Sequence, residues 1–211
     1  MTFKLFNFQE EALINCEGFL FNSVLKNGLC IIPTAGGKSV IIAKLASKIT
    51  KEKALFIVPS VELLEQNLKA MRNEGLDVSV FSASMGAKDK GQLTIATMGS
   101  LFGRGKEFKE FGYNMVVVDE AHYKFSFGED GKFIEFIKDL KPSKLLGLTA
   151  TPFILSTIKG KPGVRSIHKM KGSPFKNIIH ITQVSEVIAE NRWSKIKYDI
   201  HPVNTLSLEV N

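Results

Sequence analysis

Short apolar runs alternate along this chain with stretches in which apolar residues recur at helical spacing. "QEEALINCEGFLFNSVLK", residues 9–26, predicts an amphipathic helix, and "GLCIIP" a buried strand. "KSVIIAKLASKIT" then predicts a helix and "KALFIVP" the next strand. In "SVELLEQNLKAMR" the residues Val61, Leu64, Leu68 and Met71 fall on one helical face behind Ser60, a natural N-cap. "DVSVFS", "LTIAT", "MVVVDE" and "KLLGLTA" complete a series of β-rich runs, each beginning or ending at a turn signal. Strands that are apolar on both sides and separated by helices argue for an α/β fold: a mostly parallel sheet with helices on both faces.

The pattern changes near Pro152. Between Lys141 and Val184 there are eight Lys or Arg residues and no acid. Within that span "KGKPGVRSIHKMKGSPFK", residues 159–176, is rich in Gly, Pro and Lys and reads as a loop. "SEVIAENRW" then predicts a short helix, with Trp193 as a packing residue, and "KIKYDIHPV" a final strand. The expected division is a main domain over residues 1–185 and a short connecting extension over 186–211.

Composition narrows the class. With 44% hydrophobic and 23% charged residues the chain can form an ordinary globular core. The net charge of +7 suits a polyanionic partner, because phosphate backbones reward Lys and Arg through counterion release. Cys16 and Cys30 lie in apolar surroundings without metal-ligand spacing and read as reduced core residues. No apolar run approaches the roughly 20 residues that span a bilayer, and the N-terminus lacks a signal-peptide pattern, so a cytoplasmic location is expected.

Three stretches carry chemistry. In "CIIPTAGGKSVIIAKL" a strand stops in a glycine-rich turn and continues as a helix, which presents backbone N–H groups and a helix dipole to phosphate. Thr34, Ala35, Gly36 and Gly37 form the cradle, Lys38 supplies charge for the β- and γ-phosphates, and the Ser39 hydroxyl is a natural Mg²⁺ ligand. The general phosphate-loop pattern expects glycine where this chain has Ile32. "MVVVDEAH" places Asp119 and Glu120 at the C-terminal end of a buried strand, the edge where parallel sheets bind ligands. Asp119 would hold the Mg²⁺ shell while Glu120 orients and deprotonates the attacking water, with His122 as a relay. "LLGLTATP" ends at the same edge, its Thr149 and Thr151 hydroxyls placed to bond the acidic cluster.

"PTAGGKS", "DEAH" and "LTATP", in that order, resemble the first RecA-like motor lobe of a superfamily 2 helicase of the DEAH type. "FNFQEEAL" resembles the adenine-reading motif, in which Gln9 would bond the base. "IVPSVELLEQ" and "TIATMGSL" resemble the two segments that grip the nucleic-acid backbone, which implies contacts from Pro59, Ser60, Gln66, Thr97 and Ser100. The forms of these motifs are similar to those of restriction-enzyme motors and phage branch-migration helicases, which favours DNA over RNA. ATP and Mg²⁺ are the cofactors so implied.

The family's working unit has two such lobes, the second supplying an arginine that contributes a factor of about 10³–10⁵ in rate. Only about 60 residues follow "LTATP", too few for another domain of typical size. Arg165 and Arg192 sit in no recognisable arginine motif. The expectation is the excised first lobe of an ATP-dependent nucleic-acid motor, a DNA helicase or branch-migration translocase. Alone it would hold ATP and hydrolyse it slowly, partnered in a longer chain by a second lobe. Two other readings are a duplex-DNA translocase without strand separation and a stand-alone regulatory module that binds nucleic acid.

Overall fold

The computed structural model describes residues 4–123, 131–158, 161–191 and 193. Its central sheet is built around β1 (Asn27–Ile31), β7 (Lys144–Thr149), β6 (Tyr113–Val118), β2 (Lys53–Val58) and β5 (Leu93–Thr97). β10 (Ile178–Ile181) borders β1, while β3 (Ser79–Ser82) and β4 (Ala87–Lys88) finish the other side. The order is β10-β1-β7-β6-β2-β5-β3-β4. Every pairing is parallel except that of the two-residue β4 with β3.

The helices are α1 (Asn7–Glu17), α2 (Lys38–Lys48), α3 (Val61–Asn73), α4 (Gly105–Phe111), α5 (Lys132–Leu140) and α6 (Val184–Ala189). Strand alternation sorts the core into two layers. Cys30, Phe56, Ile95, Val117 and Leu148 point to one face, where α1, α2 and α3 supply Leu13, Ile41, Leu45 and Leu64. Leu29, Ile57, Val116, Val118 and Leu145 point to the other, where α4 and α5 supply Phe108, Phe133, Phe136 and Leu140. Each of these side chains contributes about 1.5–3 kcal/mol by leaving water. The expected α/β architecture is therefore what the chain adopts. Cys16 and Cys30 are both free and buried in the first layer.

Several expectations are revised. The first helical run stops early: α1 ends at Glu17 and passes into a π-turn over Gly18–Asn22. The basic stretch is not one loop. β8 (Phe153–Ile158) and β9 (Lys161–Ser166) form an antiparallel ribbon, followed by a 3₁₀ turn at Ile167–Lys169. A two-stranded ribbon buries little, so it shows no apolar alternation to read. Phe153, Leu155 and Val164 are exposed. Nor do the lysines form one patch: Lys144 Nζ donates to Leu25 O at 2.8 Å and lies over the Phe19 ring, at the N-terminal end of β7. The final strand predicted at 195–203 lies outside the described residues, as does Arg192.

α4 is tied to the sheet edge by an ionic cluster. Glu107 accepts from Arg104 Nε at 2.7 Å and from Lys90 Nζ at 2.6 Å. Arg104, then Lys90, hold its carboxyl down from 4.5 to about 2. A depressed carboxylate contributes stability above its unfolded value and loses it as pH falls through the folded value. Glu107→Gln should therefore flatten the dependence of Tm on pH between about 4.5 and 2. An unchanged slope in thermal melts across that window would refute the assignment.

Candidate active site

Because β1, β7 and β6 are adjacent and parallel, their C-terminal ends lie along one edge. After β1 the chain turns and enters α2 at Lys38. Gly37 closes the turn with φ 77°, a conformation that favours glycine, and a Cβ there would lie 2.3 Å from Gln9 Nε2 and push that amide aside. Ala35 also takes the left-handed conformation, with φ 62°. Gln9 braces this loop from α1: its Nε2 donates to Gly36 O at 2.9 Å, and its Oε1 accepts from Phe6 N at 3.0 Å. Its side chain, expected to bond the base, is buried and bonded to the loop.

At the end of β6, Asp119 is 3% exposed. Burial pushes its carboxyl up, Asn67 pulls it down, Glu120 raises it, and Lys38 and the Glu120 N–H lower it. Asn67 Nδ2 donates to Asp119 Oδ2 at 3.0 Å, and Glu120 N donates to Oδ1 at 2.9 Å. Glu120 itself has φ 51°, a conformation that costs a non-glycine residue about 1–3 kcal/mol. That turn carries its carboxylate back toward the phosphate loop, where Oε1 lies 3.1 Å from Lys38 Nζ. Oε2 lies 3.3 Å from His122 Nδ1, which is in turn 2.8 Å from Thr149 Oγ1 at the end of β7. One polar chain, Lys38–Glu120–His122–Thr149, thus joins the ends of all three strands.

The hydroxyls of the third stretch behave differently from each other. Thr149 reaches the acidic cluster through His122. Thr151 contributes its backbone N–H, donated to Thr149 Oγ1 at 3.1 Å, and its exposed side chain lines the cleft. Gln66, expected to contact the nucleic-acid backbone, is exposed on α3, and its Nε2 donates to Ser39 Oγ at 2.7 Å. Pro59 and Ser60 do line the cleft, of about 500 Å³, together with Thr34, Lys38, Glu120 and His122. The Ser60 Oγ accepts from Leu63 N at 3.3 Å and so caps α3 as expected. Thr97 and Ser100 are brought together at the end of β5, their hydroxyls 2.8 Å apart.

Ser39 and Asp119 offer a hydroxyl and a carboxylate, a donor set suited to Mg²⁺. That ion binds through one or two carboxylates plus substrate phosphates and keeps several waters. Among the described residues no group of three or more His, Cys, Asp and Glu could hold a metal by itself, so no all-protein cage competes with this arrangement.

Residues 2–154 match the family model for the Type III restriction enzyme, res subunit. The chain belongs to that family. None of the curated proteins compared with it matches. Solved structures share its fold. A nuclease-deletion mutant of the Type ISP restriction-modification enzyme LlaGI, in complex with a DNA substrate mimic, is 18% identical with a TM-score of 0.64. The match covers 92% of this chain and 21% of that one. The UvsW helicase of bacteriophage T4 is 22% identical, with a TM-score of 0.55 over 71% of this chain and 54% of its own. The SWI2/SNF2 ATPase core of Sulfolobus solfataricus, in complex with dsDNA, is 22% identical, with a TM-score of 0.53 over 72% and 33%. This res-family chain thus has the fold of the N-terminal motor lobe of superfamily 2 helicases, and it spans about a fifth of the Type ISP enzyme.

Asn67 was missed in the sequence, although the signal was present: a polar residue inside the apolar stripe of Leu64, Leu68 and Met71. Gly147 was missed as well. A Cβ there would lie 2.8 Å from Ala121 Cβ and from Phe175 Cε1, so this glycine lets β7 accept the acidic turn. Gly147→Ala should destabilise the fold by about 1–3 kcal/mol in denaturant melts. A loss below about 0.5 kcal/mol, the range of ordinary surface changes, would show that the turn yields easily.

Proposed function

We propose that this chain is the ATP-binding lobe of an ATP-dependent nucleic-acid motor, with DNA as its track. The observation that carries the reading is the polar chain from Lys38 through Glu120 and His122 to Thr149, with Ser39 and buried Asp119 beside it. Phosphate and Glu120 compete for the same ammonium. When γ-phosphate oxygens draw Lys38 away, Glu120 is left facing the cleft with His122 at its other oxygen, free to take a proton from an attacking water. Ser39 and Asp119 would hold magnesium, which when bound offsets charge on the phosphate oxygens. Pro59 and Ser60 lead from this cleft to the Thr97–Ser100 hydroxyls, an arrangement suited to a phosphate backbone.

Hydrolysis by this chain alone should be slow, since Arg165 lies on the exposed β8–β9 ribbon, outside the cleft lining. The arginine belongs, on this reading, to a second lobe of a longer chain. An apolar groove of about 490 Å³ suits such a neighbour, since it is lined by Pro33, Phe153, Ile178, Ile181 and Trp193 and shares Thr34 and Thr151 with the cleft. A duplex-DNA translocase without strand separation is the second reading. The shared fold of the SWI2/SNF2 ATPase core in complex with dsDNA supports it.

Lys38→Ala should lower ATP affinity by about 10–100-fold, the loss of one charge-assisted contact. Equal affinities by calorimetry would sink the phosphate assignment. In the longer chain Glu120→Gln should bind ATP normally and lose turnover, and persistent turnover would require another base. Binding of single-stranded and duplex DNA, followed by fluorescence anisotropy, should weaken steeply as salt rises from 50 to about 200 mM. A flat salt response would speak against phosphate contacts.

A further inference from the structure

The geometry points to two consecutive residues of α3, Gln66 and Asn67, as the positioning residues of the metal site: Gln66 holds Ser39, and Asn67 holds Asp119. This inference rests on the reading of Ser39 and Asp119 as the magnesium-binding pair.

The two side chains leave the same turn of α3 and reach two different elements. Gln66 Nε2 donates to Ser39 Oγ on α2 at 2.7 Å, which leaves the hydroxyl hydrogen and one lone pair to be set by this contact. Asn67 Nδ2 is shared between Leu63 O, at 2.9 Å, and Asp119 Oδ2, at 3.0 Å. Both acceptors are oxygens, so the amide can be oriented only this way round. The Glu120 N–H takes the other carboxylate oxygen. The Asp119 carboxylate is therefore held at both oxygens, with its plane fixed, and each oxygen keeps a lone pair for a further partner.

The energetics of Asn67 argue that it is kept for this contact and not for packing. It is 1% exposed, and its surroundings include Ile42, Phe56, Val58, Ile95 and Val117, an apolar pocket suited to leucine. Its Oδ1 is buried and has no hydrogen-bond partner among the described residues. An unpaired buried carbonyl is a standing penalty that leucine would not carry. What leucine could not supply is the donor to Asp119. Groups that orient metal ligands from behind typically govern metal affinity by about 10–100-fold.

The test compares ATP affinity with saturating Mg²⁺ against that in chelator, by calorimetry on this chain. The ratio of the two isolates the metal's contribution. Asn67→Leu should reduce the ratio by about tenfold, with binding in chelator little changed. Gln66→Ala, an exposed substitution that leaves the core intact, should reduce it in the same direction through Ser39. If Asn67 acts through Asp119, the Asn67→Leu, Asp119→Asn double variant should have the same ratio as Asp119→Asn alone. A purely structural Asn67 would lower Tm and leave the ratio as in the wild type, and that outcome overturns the inference while ATP binding stands. Should Asn67→Leu fail to fold, Gln66→Ala decides, and an unchanged ratio there is equally fatal. A wild-type chain that binds ATP without any gain from Mg²⁺ would remove the magnesium reading and this inference with it.

Discussion

Seating one carboxyl group in an almost dry position constrains most of the ligand-binding edge. Asp119 ends a strand that is apolar on both faces, and a bare charge there would be several kcal/mol out of favour. Its surroundings answer with an amide from α3, a backbone N–H from its own turn, and the Lys38 ammonium at the start of α2. Those groups come from separate elements. Seating this carboxylate therefore fixes how α2 and α3 lie on β6, and with them the phosphate loop that α2 follows.

Glu120 completes the constraint from the other side. Its left-handed backbone is strained, and the strain is offset locally by two contacts, with Lys38 and with His122. A conformation held by contacts with an ammonium and an imidazole is sensitive to anything that competes for either. On the proposed reading a polyphosphate would compete for the first, and a displacement at the end of β7 would act on the second through Thr149. The same residue would then register both occupancy of the loop and movement of the neighbouring strand, because its position depends on both contacts.

The sheet and its helices were legible because each central strand is a dense apolar run and each flanking helix keeps a clear stripe. The position of Lys38, Asp119 and Glu120 at one sheet edge was legible for a related reason: each lies at the end of an apolar run, where a charge stands out. The ribbon β8–β9 and the edge strand β10 were not legible, since backbone pairing holds them and they bury too little to impose a pattern. Gln9 and Gln66 were placed by analogy with motif positions, and Thr151 by its place at the end of an apolar run. Their observed partners depend on which way a side chain or N–H turns across a gap between elements, and spacing along the chain carries no such information. Asn67 stood in plain view as a polar residue in an apolar stripe, but its partner lies 52 positions away, just past the end of β6.

The cleft and the apolar groove beside it share a wall at Thr34, Ala150 and Thr151, and this bears on why the proposed hydrolysis needs more than this lobe. Water competes with every contact that a half-open cleft makes to a phosphate, and the ion pair of Lys38 with Glu120 is only partly shielded. A body packed on Phe153, Ile178, Ile181 and Trp193 would bury the groove for the ordinary hydrophobic gain. Because the wall is common, that same burial would dry the cleft, strengthen the electrostatics at Glu120 and bring the neighbour's charges to the phosphates. Apolar docking and catalytic closure would then be one event. Its driving force would come from the groove, and its chemical consequence would appear at Lys38 and Glu120.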